Sequence, residues 1–582
     1  MFSVLWKLAW FFKTYWKRYT IAVTLLIIAS GLDVIPPKLI GIAIDDIHIG
    51  QMTTERLYEI VLLYGGLIVV CYFITYVWMY QLFGGAFLIE RILRSRFMKH
   101  LLTMTPSFYE KNRTGDLMAR ATNDLKAISM TAGFGILTLI DSTIFMVIII
   151  LVMGVTISWQ LTLAALLPLP LMALAIRYYG KMIHKRFMVA QDSFGELNDY
   201  VLESIAGVRV VRAYVQEKAD ENRFKQKTEE VFSKNMAVAR VDALFEPTIK
   251  ILVGLSYVIG LGYGAYLVFH QRITLGELVS FNIYLGMLIW PMFAVGELIN
   301  VLQRGNASLD RVNETLSYPL DVKDVAHPVE VNVPEAVEFS NVSFRYPSST
   351  TDNLKNVTFS LARGETIGVV GKTGSGKTTL LKQLLREYPL GEGQVSISGI
   401  PLEEIPVDTV HSWVGYVPQE QILFSRTIRE NLQFGKAEVS EDEIHNALAL
   451  ASFNQDLVSL PNGLDTLVGE KGVALSGGQK QRISIARALI KDPDILLLDD
   501  AMSAVDGKTE AAIIENIRRE RAGKTTFITA HRLSAVQHAD WIVVMDDGAI
   551  IEEGTHEQLL LRNGWYKEQY ERQRSDQYGE VS

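Results

Sequence analysis

The sequence predicts two fold classes in series: a membrane all-α domain of six helices, then an α/β domain with a phosphate-loop nucleotide-binding core and a helical subdomain. Three observations carry this. Six apolar stretches of bilayer-spanning length lie before residue 302; strand patterns alternate with helical ones after residue 337; and GKTGSGKTT at 371–379 joins a strand to a helix. The expected boundaries are 1–305 for the membrane domain, 306–336 for a linker, 337–573 for the nucleotide-binding domain and 574–582 for a polar tail.

Composition agrees with two domains of different solvents. The chain has 582 residues, 49% hydrophobic and 21% charged, with the apolar share concentrated in the first half. A net charge of −8 with no dominant basic stripe argues against a nucleic-acid partner. Cys71 is the only cysteine, which excludes an intrachain disulfide and a thiol metal cluster.

The first eighteen residues mix aromatics and bases and lack a small-residue cleavage site, and are read as an amphipathic helix at the cytoplasmic membrane surface. The spans are expected near 19–44, 59–83, 133–157, 160–178, 248–269 and 277–301, with spans three and four forming a tight hairpin across 157–160. Bases cluster in the two long connections, including Arg91, Arg94, Arg113 and Arg120 in the first and Lys181, Lys185, Arg209 and Arg212 in the second. These connections, the amino terminus and everything after the sixth span are therefore cytoplasmic. Both connections carry helical patterning, with breaks at Thr114-Gly115 and Ala206-Gly207 where a short transverse helix fits against a cytosolic partner. An ordinary helical hairpin fits as well.

Ionisable residues within spans are costly, about 2.5–3.5 kcal/mol at a helix centre on insertion scales. Asp33, Asp141 and Glu297 therefore need partners or a role; Asp141 suits either attraction of cationic substrates or pairing with a neighbouring helix. Pro36, Pro37, Pro168, Pro170 and Pro291 are expected kink points. Aromatics such as Tyr72, Trp78 and Trp290 suit stacking on flat lipophilic cations, and equally suit the bilayer interface.

In the second half, Gly371, Thr373, Gly374, Ser375, Gly376, Lys377, Thr378 and Thr379 form the full phosphate-loop pattern. Backbone N–H groups would turn toward the β-phosphate, Lys377 would neutralise β- and γ-oxygens, and the Thr378 hydroxyl would ligate Mg²⁺. ILLLD ends in Asp499, a carboxylate placed to hold Mg²⁺ through water. By itself the phosphate loop says only that an NTP binds, with Mg²⁺.

Leu475-Ser476-Gly477-Gly478-Gln479 narrows the class. The order of phosphate loop, Gln419 in GYVPQE, LSGGQ, ILLLD, Ser503-Ala504-Val505-Asp506 and His531 resembles ATP-binding-cassette proteins throughout the domain. With the six preceding spans, the chain resembles a type IV exporter half-transporter of the kind found in bacterial heterodimeric multidrug exporters. The resemblance implies roles residue by residue: Tyr346 stacks on adenine; Gln419 reaches Mg²⁺ or the attacking water; Ser476, Gly477, Gly478 and Gln479 meet the γ-phosphate held by a second cassette; and Asp506 and His531 complete the nucleotide site. The segment 466–472, TLVGEKG, resembles the exporter segment that touches transverse helices. One chain alone does not complete a site.

One position departs from the family pattern. Most hydrolytic cassettes carry Glu after the Walker B Asp, and this chain has Asp500. A catalytic group displaced by about 1 Å can lose on the order of 10²-fold in rate, so Asp500 is expected to be a poor base in a site that binds ATP. The intact LSGGQ then serves a non-identical second half-transporter with Glu at the corresponding position. The expected function is export of lipophilic, cationic drugs or dyes across the cell membrane by alternating access. A homodimeric lipid or peptide exporter, and an ATP-gated channel or sensor, remain as alternatives; six spans exclude a soluble cassette.

Overall fold

The computed structural model describes residues 3–469 and 474–579. It divides into one unit of Met1–Leu102 with Thr114–Tyr318 and a second of Thr103–Arg113 with Pro319–Ser582.

The first unit is helical. Among the described residues, five helices are long and apolar enough to cross a membrane: Trp16–His48, Thr54–Thr103, Thr114–Leu166, Glu217–Phe269 and Leu275–Leu316. Six spans are expected, and the difference lies at the third and fourth. Ser158 leaves the helical backbone (φ −166°, ψ 125°), and its side chain accepts the Leu161 N–H to start helix Trp159–Leu166. Leu167 and Pro168 then separate that helix from Leu169–Ala206. The apolar stretch of the fourth span is therefore shared between two helices, neither of which carries enough of it alone. Pro36 and Pro37 behave similarly: they occupy the first turn of Ile35–His48, after a break at Asp33 and Val34, where a missing N–H leaves no helix bond unmade.

Helix Ile289–Leu316 corrects the linker boundary, because residues 306–316 are helical rather than linker. Leu302, Gly305, Leu309 and Val312 recur on its buried face at helical spacing, and the polar residues between them disguise the stripe. Arg311 pairs there with buried Asp124, which also accepts from Ser308. Helix Trp565–Gly579 runs into the expected polar tail. At the other end Ser3–Lys7 and Ala9–Thr14 bury Val4, Leu8 and Phe11 and leave Trp6 81% exposed, an amphipathic pattern.

Asp141 has a partner: Trp290 Nε1 donates to Asp141 Oδ2 at 2.9 Å. Glu297 lies 3.7 Å from the Arg304 guanidinium.

Among the described residues the second unit holds ten strands: β1 (Ala336–Phe344), β2 (Leu354–Ala362), β3 (Thr366–Gly371), β4 (Glu392–Ile397), β5 (Ile400–Pro401), β6 (Val414–Val417), β7 (Ile495–Asp499), β8 (Thr525–Ala530), β9 (Trp541–Asp546) and β10 (Ala549–Gly554). The order β2-β1-β4-β5 makes an antiparallel sheet, and β10-β9-β3-β8-β7-β6 a sheet that is parallel except for β10. Strands β7 and β8 are buried at every residue, as central parallel strands require. Phe339, Phe359, Val369, Leu497 and Phe527 belong to one core, and Val370, Leu496, Leu498 and Ile528 to another, so alternate residues of β3, β7 and β8 feed opposite faces.

Helix Pro106–Lys111 also belongs to this unit, although it lies within the first long connection. It precedes the expected break, since Thr114 opens a new helix. In the second connection Gly207 separates Leu169–Ala206 from the short helix Val208–Ala213.

Candidate nucleotide site

The carboxyl ends of parallel strands β3 and β7 converge on one site, where open α/β sheets generally take their ligands. Gly371 closes β3, residues 372–376 turn, and helix Lys377–Leu384 begins. Gly371 and Gly376 both need glycine: a Cβ on Gly371 would lie 2.1 Å from the Met545 carbonyl oxygen, and Gly376 is left-handed as well. The Gly376 φ is +102°, and a Cβ there would lie 2.7 Å from the Asn353 carbonyl oxygen. Thr373 and Gly374 are exposed in the turn, and Ser375 is buried.

Lys377 is 7% exposed, and its Nζ donates to the Gly371 and Lys372 carbonyls at 2.9 Å each. Burial pushes its ammonium below the ordinary lysine value, opposed by the charges of Asp500 and then Asp499. A cation held in a desolvated loop is suited to phosphate oxygens, which would relieve the same penalty.

Asp499 is buried at the end of β7. Its Oδ1 accepts from Thr378 Oγ1 at 3.0 Å and from Thr529 Oγ1 at 2.6 Å. Among the described residues its Oδ2 is buried without a partner, as is the Ser375 hydroxyl. An unmet carboxylate oxygen beside a threonine hydroxyl is the donor set that a hard cation with retained waters takes, so these residues fit Mg²⁺.

Asp500 follows in the left-handed region at φ +46°, its N–H donating to both the carbonyl and the hydroxyl oxygen of Thr529 at 3.0 Å. Asp tolerates this conformation better than most residues because its short polar chain bonds locally. Burial raises its carboxyl above the ordinary range, with His531 the leading opposing charge. Asp500, Ser503, Glu510, Thr529 and His531 line a cavity of about 120 Å³. His531 is exposed, and its carbonyl accepts from Gln573 Nε2 at 2.9 Å.

Tyr346 is half-buried. Its hydroxyl donates to Thr379 Oγ1 at 3.1 Å, and its ring packs edge-to-face on Tyr388. Gln419 is exposed just beyond β6, where its carbonyl accepts from Gln421 Nε2 at 2.7 Å; among the described residues no hydrogen bond draws its side chain to Asp499.

The signature is organised separately. Ser476 caps helix Gly477–Leu489 in a reciprocal box with Gln479. Gln479 Nε2 donates to Asp456 at 2.9 Å, and Arg482 grips the same carboxylate with two nitrogens. Gly478 admits close backbone: a Cβ there would lie 2.8 Å from the Ala504 carbonyl oxygen. Gln481 bonds the Ser503 hydroxyl and the Ala504 N–H at 2.9 Å each, and Asp506 caps helix Gly507–Glu520. Among the described residues no hydrogen bond or ion pair joins the signature to the phosphate loop. Residues 470–472 of the TLVGEKG segment lie outside the described residues; Thr427 and Leu467, by contrast, form a strand-like bridge.

Sequence reading missed Thr529, Gln481 and Asp456. Thr529 is the penultimate residue of TFITA, two positions before His531, and the β7–β8 pairing sets it opposite Asp499. Gln481 and Asp456 carry no comparable signal, because the contacts that define them are made across about twenty residues of chain or more.

Known proteins with the same features are full-length counterparts. Residues 19–292 match the family described as ABC transporter transmembrane region and 354–503 the one described as ABC transporter. A Bacillus subtilis protein described as "Probable multidrug resistance ABC transporter ATP-binding/permease protein YheI" is 63% identical over 98% of both chains. Multidrug resistance-like ATP-binding protein MdlA of Escherichia coli is 41% identical over 97% of this chain and 95% of its own. The structure of a bacterial Atm1-family ABC exporter with ATP bound superposes with a TM-score of 0.76 at 26% identity, covering 96% of this chain and 98% of that one.

Proposed function

The chain belongs to the ABC transporter family, a multi-pass membrane protein with a cytoplasmic ATPase domain coupled to transport, and from that premise we propose that it is the unequal half of a heterodimeric exporter. The observation that carries this reading is Asp500 following Asp499 in a chain whose LSGGQ is intact. At φ +46° the shorter carboxylate is the less strained occupant, but it has one methylene less reach toward an attacking water. The site on this chain's phosphate loop holds ATP and turns it over slowly, while Ser476, Gly477 and Gly478 complete the faster site on a partner with Glu after its Walker B Asp. In finer terms the chain is a counterpart of BmrC, the subunit with the altered Walker B of a bacterial heterodimeric multidrug exporter.

Within this chain's own site, Lys377 neutralises phosphate oxygens, Tyr346 stacks on the adenine, Asp500 accepts a proton from water inefficiently, and His531 supports the γ-phosphate. Thr378, Asp499 and Gln419 would hold Mg²⁺, whose chemistry there is charge neutralisation across the β- and γ-phosphates. Asp506 belongs to the loop that would face the second cassette.

The cargo is read as lipophilic and cationic. Relatives named for multidrug resistance support the class, and Asp141 with Trp290 supplies a carboxylate and an aromatic in the membrane unit. A lipid cargo is the second reading, favoured by 34% identity to an ATP-dependent lipid A-core flippase of Syntrophus aciditrophicus. Purifying the chain alone and with its co-expressed partner tests the central point. Slow turnover alone and fast turnover in the pair is expected, whereas robust turnover by the single chain overturns the heterodimer. Vesicle uptake that requires Lys377 and accumulates cationic dyes rather than fluorescent lipids supports the cargo reading; lipid movement without dye uptake replaces it.

A further inference from the structure

Gln419 is the residue that the family resemblance places at Mg²⁺ or the attacking water, at the phosphate end of the nucleotide site. The base end of the nucleotide site has its own line of contacts, and it leads to helix Pro106–Lys111. The Tyr346 ring meets Tyr388 edge-to-face, centroids 4.9 Å apart and planes at 78°. Tyr388 is 1% exposed, and its hydroxyl donates to Glu110 Oε1 at 2.5 Å. The other carboxylate oxygen of Glu110 accepts from Ser348 Oγ at 3.4 Å, two residues past Tyr346. Phe344 packs on both tyrosines, and the Lys382 ammonium lies 5.8 Å from each ring centre. Burial, and next the Glu110 carboxylate, push the Tyr388 phenol up, so it remains a donor throughout the physiological range.

Two physical properties make this line stiff. Packed aromatic rings transmit displacement because interiors have little free volume. A hydroxyl bonded to a carboxylate is roughly twice as strong as a neutral pair, and losing it would leave a buried phenol unsatisfied. Helix Pro106–Lys111 is in turn continuous in sequence with helices Thr54–Thr103 and Thr114–Ala119, the first of which has a membrane-crossing stretch. A base that settles on Tyr346 therefore cannot move that ring without loading Tyr388 and Glu110.

We propose that Tyr388 is a positioning residue that couples base occupancy at Tyr346 to helix Pro106–Lys111 through Glu110, so that a purine base, and not the triphosphate alone, is signalled to the membrane spans. The proposal rests on the exporter reading for the placement of adenine on Tyr346.

The test uses the co-expressed pair in membrane vesicles and the chain's single cysteine, Cys71, within Thr54–Thr103. The alkylation rate of the Cys71 peptide of this chain is followed by mass spectrometry at saturating ATP, at saturating ribose triphosphate, which lacks the base, and without nucleotide, each normalised to nucleotide bound. ATP changes the rate by about fivefold or more, the lower end of ordinary coupling between sites, and ribose triphosphate changes it far less. Tyr388→Phe, which keeps the ring, and Glu110→Ala each reduce the ATP response to the base-free level, and the double variant reduces it no further. Glu110→Gln, which keeps an acceptor, restores part of the response. Equal responses to ATP and the base-free triphosphate, an unmoved Cys71, or single variants that retain the full ATP response per nucleotide bound would each overturn the relay. Equal hydrolysis at the two ATP sites would instead overturn the unequal-half reading, and is measured separately.

Discussion

The phosphate-loop side and the signature side of the same unit are built differently. On the first, Asp500 sits on left-handed backbone beside an Asp499 oxygen that no described residue satisfies, and Lys377 is held by backbone carbonyls in a partly desolvated loop. On the second, every polar group of Ser476, Gln479, Gln481 and Arg482 that matters to the loop is matched within the chain. One side is a set of unmet demands that a nucleotide would satisfy; the other is a finished surface. The difference teaches that retention of the signature and alteration of the base need not conflict, because in the proposed arrangement each serves a different ATP.

The contrast is broken most severely by placing a charge on the finished side. Gly477→Asp opposes a γ-phosphate across the interface and is expected to lower the pair's steady-state ATPase by on the order of 10²-fold or more, the scale of losing a transition-state donor. A pair that keeps its rate would mean that this signature serves no active site. Next in size, Asp500→Glu restores the missing reach and is expected to raise single-turnover hydrolysis at this chain's own site by up to about 10²-fold, with part of that gain offset by strain at φ +46°. A smaller effect is expected from Ser476→Ala, which removes a helix cap worth about 1 kcal/mol and should lower the melting temperature while leaving ATP binding to the phosphate loop intact.

The smallest effect is in pH. Because burial raises the Asp500 carboxyl, its ionised form is lost at a higher pH than an ordinary aspartate on acidification. Slow hydrolysis at this chain's own site is then expected to show an acid limb above the usual carboxylate range, measured in single turnovers with the partner's site disabled. A limb at the ordinary position would mean that Asp500 is solvated in the working state.

Much of this was legible in the sequence, for reasons that differ by element. The phosphate loop is a contiguous motif on a strand-turn-helix, so its spacing revealed it, whereas LSGGQ was legible only through the resemblance of the whole motif order to ATP-binding-cassette proteins. The strands of the second unit announced themselves through β-branched runs. Boundaries fared worse where polarity and periodicity disagreed: residues 306–316 read as linker because Arg311, Asn313 and Glu314 dominate their composition, while Leu309 and Val312 quietly continue the buried stripe of a helix. The fourth span was legible in hydropathy, and its division falls at Pro168, one of the expected kink points. Contacts made at a distance left no trace, so Gln481 against Ser503, 22 residues apart, and Tyr388 against Glu110, 278 apart, emerged only in three dimensions.

The central claim is that this chain lends its signature to a partner's hydrolysis and does little hydrolysis itself. Its most direct test is the steady-state ATPase of the co-expressed pair carrying Asp500→Asn. The account predicts a rate within about twofold of the unaltered pair, since the fast site keeps its own base. A fall as large as that produced by Gly477→Asp would contradict it and make Asp500 the working base of an ordinary, symmetric exporter.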